Sequence, residues 1–194
     1  AQDHKRAFDG DTGPNTGGMG TYAPARLMTE DLRARVMREI IHPTVAAMKA
    51  EGMPFRGVLF AGLMVTKKGP QLLEYNARFG DPETQVLMRR LSDDLYPLLL
   101  ASATGSIKNM QVRMKPEAAA CVVMAAKGYP GTYEKNTVIN GLDAAGALPG
   151  CVVFHAGTAK KGTDTVATGG RVLGVTATGA NVKEAQSNAY RAVD

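Results

Sequence analysis

The segment 55–79 constrains the fold most, because its pattern predicts a β-hairpin made of two different strands. Residues 56–66 contain the continuous apolar run VLFAGLMV, which is typical of a strand buried on both faces. Lys67-Lys68-Gly69 supplies a turn, and Gln71 to Phe79 is predicted to return as the second strand. The sequence therefore predicts an antiparallel strand pair in the first half of the chain.

The returning strand carries polar side chains at every second position. Because side chains alternate across a strand, one set is predicted to lie in the core: Leu73, Tyr75, Ala77 and Phe79. An acid, an amide and a guanidinium then share the other face: Glu74, Asn76 and Arg78. One interpretation is a solvated sheet face. The other is a site, since a carboxylate and an amide oxygen suit Mg²⁺ on nucleotide phosphates, and Arg78 could hold a carboxylate or phosphate or simply pair with Glu74.

The first 24 residues are rich in Gly, Asp, Thr, Asn and Pro and show almost no apolar periodicity, which predicts a loop. A loop of this length inside a compact domain is uncommon unless it is functional. Its glycine-rich part has backbone N–H groups that could cradle an anion. Lys5 and Arg6 would add positive charge there, and His4 could donate to a phosphate oxygen or simply be a packed or surface residue.

The segment Gly80-Asp81-Pro82-Glu83 predicts the start of a helix that runs to about Leu91. Asp81 is a suitable N-cap and Pro82 fits the first helical position. Free N–H groups at such an end favour an anion. Plain capping by Asp81 explains the same residues, and the two roles are compatible.

The remaining pattern predicts an α+β chain with two domains, residues 1–108 and an incomplete small domain at 109–194. A helix is expected over 29–51, capped by Thr29 and interrupted at Pro43 by a kink or by a break into two helices. Another helix is predicted from Ser92 or Asp94 to Gly105. Short strands follow at 118–126, 152–158 and 171–177, with a final helix from Asn181.

Composition narrows the function classes. The net charge of +5 fits nucleic acid or a small anionic ligand, but the basic clusters are scattered and lack interleaved aromatic residues, which argues against nucleic acid. Both cysteines, Cys121 and Cys151, lie in apolar runs and are predicted to be buried. No stretch has the length of a membrane span, and we expect a cytoplasmic protein. The missing initiator Met and the helical pattern at the end predict a piece of a longer protein.

Two long motifs, QDHKRAFDGDTGPNTGGMGTYAPA and LLEYNARFGDPETQ, resemble the phosphoribosylamine–glycine ligase family, as do the later VVMAAKGYPG and VVFHAGTA. The resemblance covers essentially the whole chain and matches the C-terminal portion of that family. It implies an ATP-grasp fold, in which two α+β subdomains clamp ATP. Here that means the second ATP-grasp subdomain, an antiparallel sheet with helices, followed by a small α+β domain.

The resemblance also implies an activity. The family joins glycine to 5-phosphoribosylamine through a glycyl phosphate, with ATP as co-substrate and Mg²⁺ (or Mn²⁺) as the metal, in purine biosynthesis. The implied partners are these small molecules and the missing N-terminal part of the same protein, with no nucleic acid and no membrane. Two alternatives stay open: an ATP-grasp ligase for another carboxylate and amine, and a basic nucleic-acid-binding module.

Carried onto this chain, the resemblance makes Glu74 and Asn76 the metal ligands and Arg78 the catalytic arginine. The residues implied to bind ATP or substrate are Gln2, Asp3, His4, Lys5, Arg6, Asp11, Thr16, Gly17, Gly18, Met19, Gly20, Asp81, Pro82 and Glu83. The strand before Glu74, at 58–65, contains no acid that could be a further metal ligand. The adenine pocket and the phosphate-covering loop are implied to lie in the missing part, so the chain alone is predicted not to turn over substrate.

Overall fold

The computed structural model describes all 194 residues and divides by its internal contacts into two compact units. The first, called here the sheet unit, contains residues 1–24, 81–90 and 115–194. The second, the hairpin unit, contains residues 25–80 and 91–114. Segments of the two units alternate along the chain. The domain boundary that we predicted near residue 108 stays a prediction.

Twelve strands and six α-helices form the two units. The strands are β1 Gln2–Asp3, β2 Arg6–Phe8, β3 Thr12–Asn15, β4 Gly20–Ala23, β5 Phe60–Thr66, β6 Gly69–Asn76, β7 Ala118–Ala125, β8 Thr137–Val138, β9 Cys151–His155, β10 Thr158–Lys161, β11 Asp164–Ala167 and β12 Arg171–Gly179. The helices are α1 Glu30–Val36, α2 His42–Ala50, α3 Glu83–Arg90, α4 Leu95–Thr104, α5 Leu142–Gly146 and α6 Val182–Val193. None of the helices is long and apolar enough to cross a membrane.

The core of the sheet unit is a five-stranded antiparallel sheet in the order β1-β4-β7-β12-β9. Its central strand β7 begins with three alanines, and its side chains alternate between two helical layers. Ala119, Cys121 and Val123 pack with Val86 of α3 on one face, while Ala118 and Ala120 pack with Ala185 of α6 on the other. Small side chains let both helices approach the sheet closely, so this core is tight although it contains few large residues.

The prediction that residues 1–24 form a loop is wrong, because the segment contains the four short strands β1 to β4. β4 pairs antiparallel with β7 and β1 pairs with β4, while β2 and β3 form a separate two-stranded pair. Strand pairing uses backbone groups and does not require apolar periodicity, which is why the pattern missed it. Gly20 makes the pairing possible, since a Cβ atom there would lie 2.8 Å from the carbonyl oxygen of Cys121.

The helices of the hairpin unit follow the sequence pattern. The Thr29 hydroxyl accepts the N–H of Leu32 and caps α1. A π-helical turn, Met37–Ile41, then joins α1 to α2, and Pro43 lies in the first turn of α2. The helical backbone is therefore continuous over residues 30–50, and the interruption predicted at Pro43, a kink or two consecutive helices, takes the form of a π-helical turn just before that proline. Asp94 caps α4, and Gly105 follows its last residue, also as predicted.

The β5–β6 hairpin is real but shorter and more exposed than predicted. β5 begins at Phe60, and β6 ends at Asn76 rather than at Phe79. The prediction that the first strand is buried on both faces is wrong: Met64 is 52% exposed. The physical reason is that β5 has a hydrogen-bonded partner on one side only, in a two-stranded sheet.

A register shift also overturns the predicted inward face of β6. Gly62 pairs with Glu74 but the next residue, Leu63, pairs with Leu72, so β6 carries one extra residue. That residue is Leu73, which was predicted to be buried and is 64% exposed. A bulge of this kind breaks the strict alternation on which the prediction rested.

The packing of α3 gives a stability prediction. Val86 is fully buried between α3 and the sheet, so Val86→Ala removes apolar contact and leaves a cavity, and we expect the free energy of unfolding to fall by about 2 kcal/mol. Val138→Ala, at a 45% exposed position of the same unit, serves as the control and is expected to stay within roughly 0.5 kcal/mol. Urea unfolding followed by circular dichroism measures both, and equal losses would contradict the layered core.

Candidate functional site

The carboxylate–amide pair lies in the hairpin unit, on one face of β6. The amide Nδ2 of Asn76 donates to Oε1 of Glu74 at 3.3 Å, so the two side chains are adjacent, as the alternation predicted. Tyr75, between them, points to the opposite side, where its hydroxyl lies 2.5 Å from the hydroxyl of Thr44 in α2. That contact fixes β6 against the helices and sets the direction in which Glu74 and Asn76 project.

Arg78 does not lie on the strand. It follows the end of β6, and its Nη1 donates to the carbonyl oxygen of Phe79 at 2.9 Å. Arg78 does not pair with Glu74, which was one of the alternatives left open by the sequence. Arg78 is exposed, so its guanidinium remains accessible to an anion. Its catalytic role stays a prediction.

The predicted site residues at the start of the chain include a charged side chain, Asp3, that is largely buried. The Tyr22 hydroxyl donates to Oε1 of Gln2 at 2.6 Å. The Asp3 carboxylate pairs with Nζ of Lys5 at 2.5 Å, and its Oδ1 is buried without a hydrogen-bond partner. Gly18 makes room for it: a Cβ there would lie 2.8 Å from Asp3 Oδ1, and the φ of +122° requires glycine.

The other charged residues of the opening segment are more exposed. Arg6 donates through Nη1 to the carbonyl oxygen of Gly13 at 2.7 Å, across the β2–β3 pair. The imidazole of His4 lies 5.9 Å from the Tyr22 ring, centroid to centroid. Asp11 is exposed in the turn between β2 and β3. These side chains are available to a ligand, and their roles stay predictions.

The glycine-rich segment 16–20 does not offer free N–H groups at its centre. The N–H groups of Gly17, Gly18 and Met19 all donate within the protein. Their acceptors lie at 3.2, 3.0 and 2.8 Å and are the Tyr129 hydroxyl, the Thr16 hydroxyl and the His4 carbonyl. The anion cradle proposed for these N–H groups is therefore not formed by them, and any role of the segment in binding rests on its shape and side chains.

The turn before α3 is also held internally. Asp81 Oδ1 accepts from the Gln85 amide at 2.9 Å, and Asp81 Oδ2 accepts from Nη2 of Arg171 at 3.1 Å. Pro82 is fully buried, one residue before the helix begins. Glu83 is only 7% exposed, which is unusual for an acid.

Two residues missed by sequence reasoning, Arg171 and Tyr129, contact the predicted site. Arg171 Nη1 donates to the carbonyl oxygens of Gly17, Gly18 and Asp81 at 3.0, 3.4 and 2.8 Å. Tyr129 lies in the family-like stretch VVMAAKGYPG, which gives no sign of its contact partner, and Arg171 follows a Gly-Gly pair outside the quoted motifs. Only the pairing of β4 with β7 and β12 with β7 brings them to the segment 16–20.

Burial controls the electrostatics of this region. It raises the pKa of the Glu83 carboxyl, and the negative charge of Asp3 raises it further, while Lys5 lowers it. Burial likewise raises the pKa of the Cys121 thiol to about 11, and both cysteines are free.

Nowhere in the chain do three or more His, Cys, Asp or Glu side chains come together as a potential metal cluster. The metal role of the oxygen pair of Glu74 and Asn76 stays a prediction.

Comparison with known proteins identifies the family of the chain. The sequence model described as "Phosphoribosylglycinamide synthetase, ATP-grasp (A) domain" matches residues 1–84. The model described as "Phosphoribosylglycinamide synthetase, C domain" matches residues 119–194. The chain belongs to the phosphoribosylglycinamide synthetase family. The two models match all of the chain except residues 85–118, which confirms the resemblance drawn from the motifs.

Curated relatives in this family carry the name phosphoribosylamine–glycine ligase. The protein of Rhizobium meliloti is 62% identical over 193 residues, which cover the whole of this chain and 45% of that protein. The protein of Mesorhizobium japonicum is 60% identical over 194 residues, again 45% of its length. The chain therefore spans about 45% of the length of these relatives.

Solved structures agree on the fold. The crystal structure of phosphoribosylamine–glycine ligase from Thermotoga maritima matches with a TM-score of 0.84 and 35% identity, over 99% of this chain and 46% of that one. An N5-carboxyaminoimidazole ribonucleotide synthetase from Thermotoga maritima matches with a TM-score of 0.56 and 21% identity, over 91% of this chain and 45% of that one. The second match concerns the fold alone. The chain has the α+β fold of the ATP-grasp enzymes, as predicted.

The raised pKa of Glu83 predicts a pH dependence of stability. An acid with a higher pKa in the folded state binds more protons when folded, so the contribution of Glu83 to stability falls as the pH rises from the ordinary value of 4.5 through the folded pKa. Glu83→Gln removes this loss. We expect the unfolding free energy of the variant, relative to wild type, to increase between pH 4 and pH 7 in urea titrations. A constant or decreasing difference would show that burial does not raise this pKa.

Proposed function

We propose that this chain is the C-terminal part of a ligase that joins 5-phosphoribosylamine and glycine, with cleavage of ATP to ADP and phosphate. The observation that carries the proposal is the 62% identity along the whole chain with a phosphoribosylamine–glycine ligase. The ATP γ-phosphoryl group is transferred to the glycine carboxylate. The amine nitrogen then attacks the acyl carbon, the amide bond forms, and phosphate leaves. The reaction belongs to de novo purine biosynthesis, and we place it in the cytoplasm, where thiols stay reduced.

The donor chemistry of β6 fits a magnesium ion. Glu74 and Asn76 are adjacent on one face and offer only oxygen ligands to a cation once the Asn76 amide turns its oxygen outward. A pair of protein oxygens is what Mg²⁺ uses when it keeps waters and also binds phosphates. Bound there, the ion would neutralise charge on the transferring phosphoryl group. In this proposal Arg78 stabilises the transferred phosphoryl group or the glycine carboxylate.

The sheet unit supplies the substrate side in this proposal. Asp3 and Glu83 are buried acids whose charges influence each other, and a substrate ammonium would compensate them. Asp81 has both carboxylate oxygens engaged within the protein, which leaves Glu83 as the better candidate for the amine. His4 and Arg6 have exposed side chains and are assigned to the phosphate of the ribosylamine. The remaining predicted residues, Gln2, Lys5, Asp11 and segment 16–20, are assigned to the same substrate side.

The test uses the complete polypeptide that contains this chain. Purified protein with ATP, Mg²⁺ and 5-phosphoribosylamine is expected to release ADP only when glycine is added, with the product identified by mass spectrometry. The 194-residue chain alone is the control and is expected to release none, because the remaining contacts to ATP are assigned to the rest of the protein. ADP release that does not require glycine, or that is faster with another carboxylate or amine, would point to a different ATP-grasp ligase.

The metal site gives a second prediction. Glu74→Gln keeps the side-chain shape but removes the charge, so the Mg²⁺ concentration for half-maximal activity should rise by roughly 10-fold or more, the loss that even outer partners of metal ligands produce. Gln71→Ala, in the same strand, controls for disturbance of β6 and is expected to leave the Mg²⁺ dependence unchanged. Magnesium titrations at saturating ATP measure both. An unchanged half-maximal concentration in Glu74→Gln would remove Glu74 from the metal site.

A further inference from the structure

Arg171 is the residue around which two predicted substrate-side elements converge. Its Nη1 donates to the carbonyl oxygens of Gly17 and Asp81 at 3.0 and 2.8 Å, and more weakly to that of Gly18 at 3.4 Å. Its Nη2 donates to the carboxylate of Asp81 at 3.1 Å. One guanidinium from β12 therefore joins the glycine-rich segment to the turn that precedes α3. Both lie more than 80 residues earlier in the chain.

The surroundings are built to keep this guanidinium in place. Gly17 lies so close that a Cβ atom there would be 2.9 Å from Arg171 Cζ. Gly170, beside Arg171, packs under Tyr129, since a Cβ at Gly170 would lie 2.3 Å from the Tyr129 ring. The hydroxyl of the same tyrosine accepts the Gly17 N–H at 3.2 Å. Segment 16–20 is thus held from two sides by residues of the C domain, at a carbonyl by Arg171 and at an N–H by Tyr129.

Global stability is a poor explanation for the cluster. The Arg171 side chain is 22% exposed and that of Asp81 is 51% exposed, and ion pairs with such access to water contribute little to folding. Moreover, three of the four acceptors are backbone carbonyls of a loop and a turn. Hydrogen bonds to such groups fix the path of the backbone, which is what a site assembled from loops needs.

We infer that Arg171 is a positioning residue of the ligase: it fixes segment 16–20 and the turn at Asp81 in one arrangement, and the C domain thereby shapes the substrate side. The effect of Arg171 on catalysis rests on the proposed function. Its effect on the backbone of segment 16–20 and of the turn at Asp81 does not. It also assigns Asp81 to this clamp, as the acceptor of Arg171 and Gln85, rather than to direct contact with substrate.

The experiment compares Arg171→Ala and Arg171→Lys with wild type in the complete polypeptide. Arg191→Ala is the matched control, because Arg191 is an exposed arginine in the last turn of α6. Hydrogen exchange is expected to accelerate at 16–20 and at 80–84 in Arg171→Ala, while β7 and β12 keep their protection and the unfolding midpoint stays near wild type. Arg171→Lys should recover only part of the effect, since an ammonium cannot reach carbonyl and carboxylate acceptors as a planar fork does.

Kinetics test the consequence for catalysis. We expect kcat/KM for glycine or 5-phosphoribosylamine to fall by about 100-fold in Arg171→Ala, the loss that a displacement of about 1 Å produces, with KM for ATP little changed. Added guanidinium ion should restore part of this activity in Arg171→Ala and have no such effect on Arg191→Ala. Because Asp81 belongs to the same clamp, Asp81→Ala combined with Arg171→Ala should cost little more than either change alone.

The outcomes separate this inference from the proposed function. If wild type makes no glycinamide product, the proposed function fails, while hydrogen exchange still decides whether Arg171 holds the two segments. If Arg171→Ala leaves exchange at 16–20 unchanged, the clamp is refuted regardless of activity. If exchange accelerates but kcat/KM stays at the wild-type value, or guanidinium gives no rescue of lost activity, the positioning role is refuted.

Discussion

The structure of the sheet unit depends on the pairing of β4 with β7. This pairing attaches a segment of low apolar content, residues 1–24, to a sheet whose other strands begin about a hundred residues later. It is possible because Gly20 lets the backbone approach the carbonyl oxygen of Cys121. A row of backbone hydrogen bonds then fixes the register of residues 20–23, and with it the path of the segment 16–20 that precedes them. The positions of Asp3 and Gly18 follow from that register.

The candidate substrate side differs from a glycine-rich phosphate cradle. Its central N–H groups donate to neighbouring protein groups, and its carbonyl oxygens accept from Arg171. In the proposed function, such a segment would recognise a ligand through its shape and through the acids and cations next to it. Burial then becomes the main electrostatic influence, because it raises the pKa of Glu83 and isolates both carboxylate oxygens of Asp3 from water. A cationic substrate group is the natural complement of buried acids of this kind.

The hairpin unit shows how one extra residue changes the meaning of a sequence pattern. Alternation placed Glu74 and Asn76 on one face, and the structure agrees, because both lie on the same side of the bulge. Leu73 lies at the bulge itself and is exposed, while Arg78 lies beyond the end of the strand. Local periodicity was therefore reliable for the adjacent placement of Glu74 and Asn76 and unreliable for the residues on either side of them.

The sequence by itself determined the local features of this protein. Caps at Thr29 and Asp94, the irregular helical turn next to Pro43 and the long family motifs depend on neighbouring residues and so can be read from the order of amino acids. Tertiary structure decided which distant segments meet. The strands within residues 1–24, the exposure of β5 and the contacts of Arg171 and Tyr129 with Gly17 depend on backbone pairing and packing across large sequence separations. Backbone hydrogen bonding is common to nearly all residue types, so side-chain patterns carry little information about such partners.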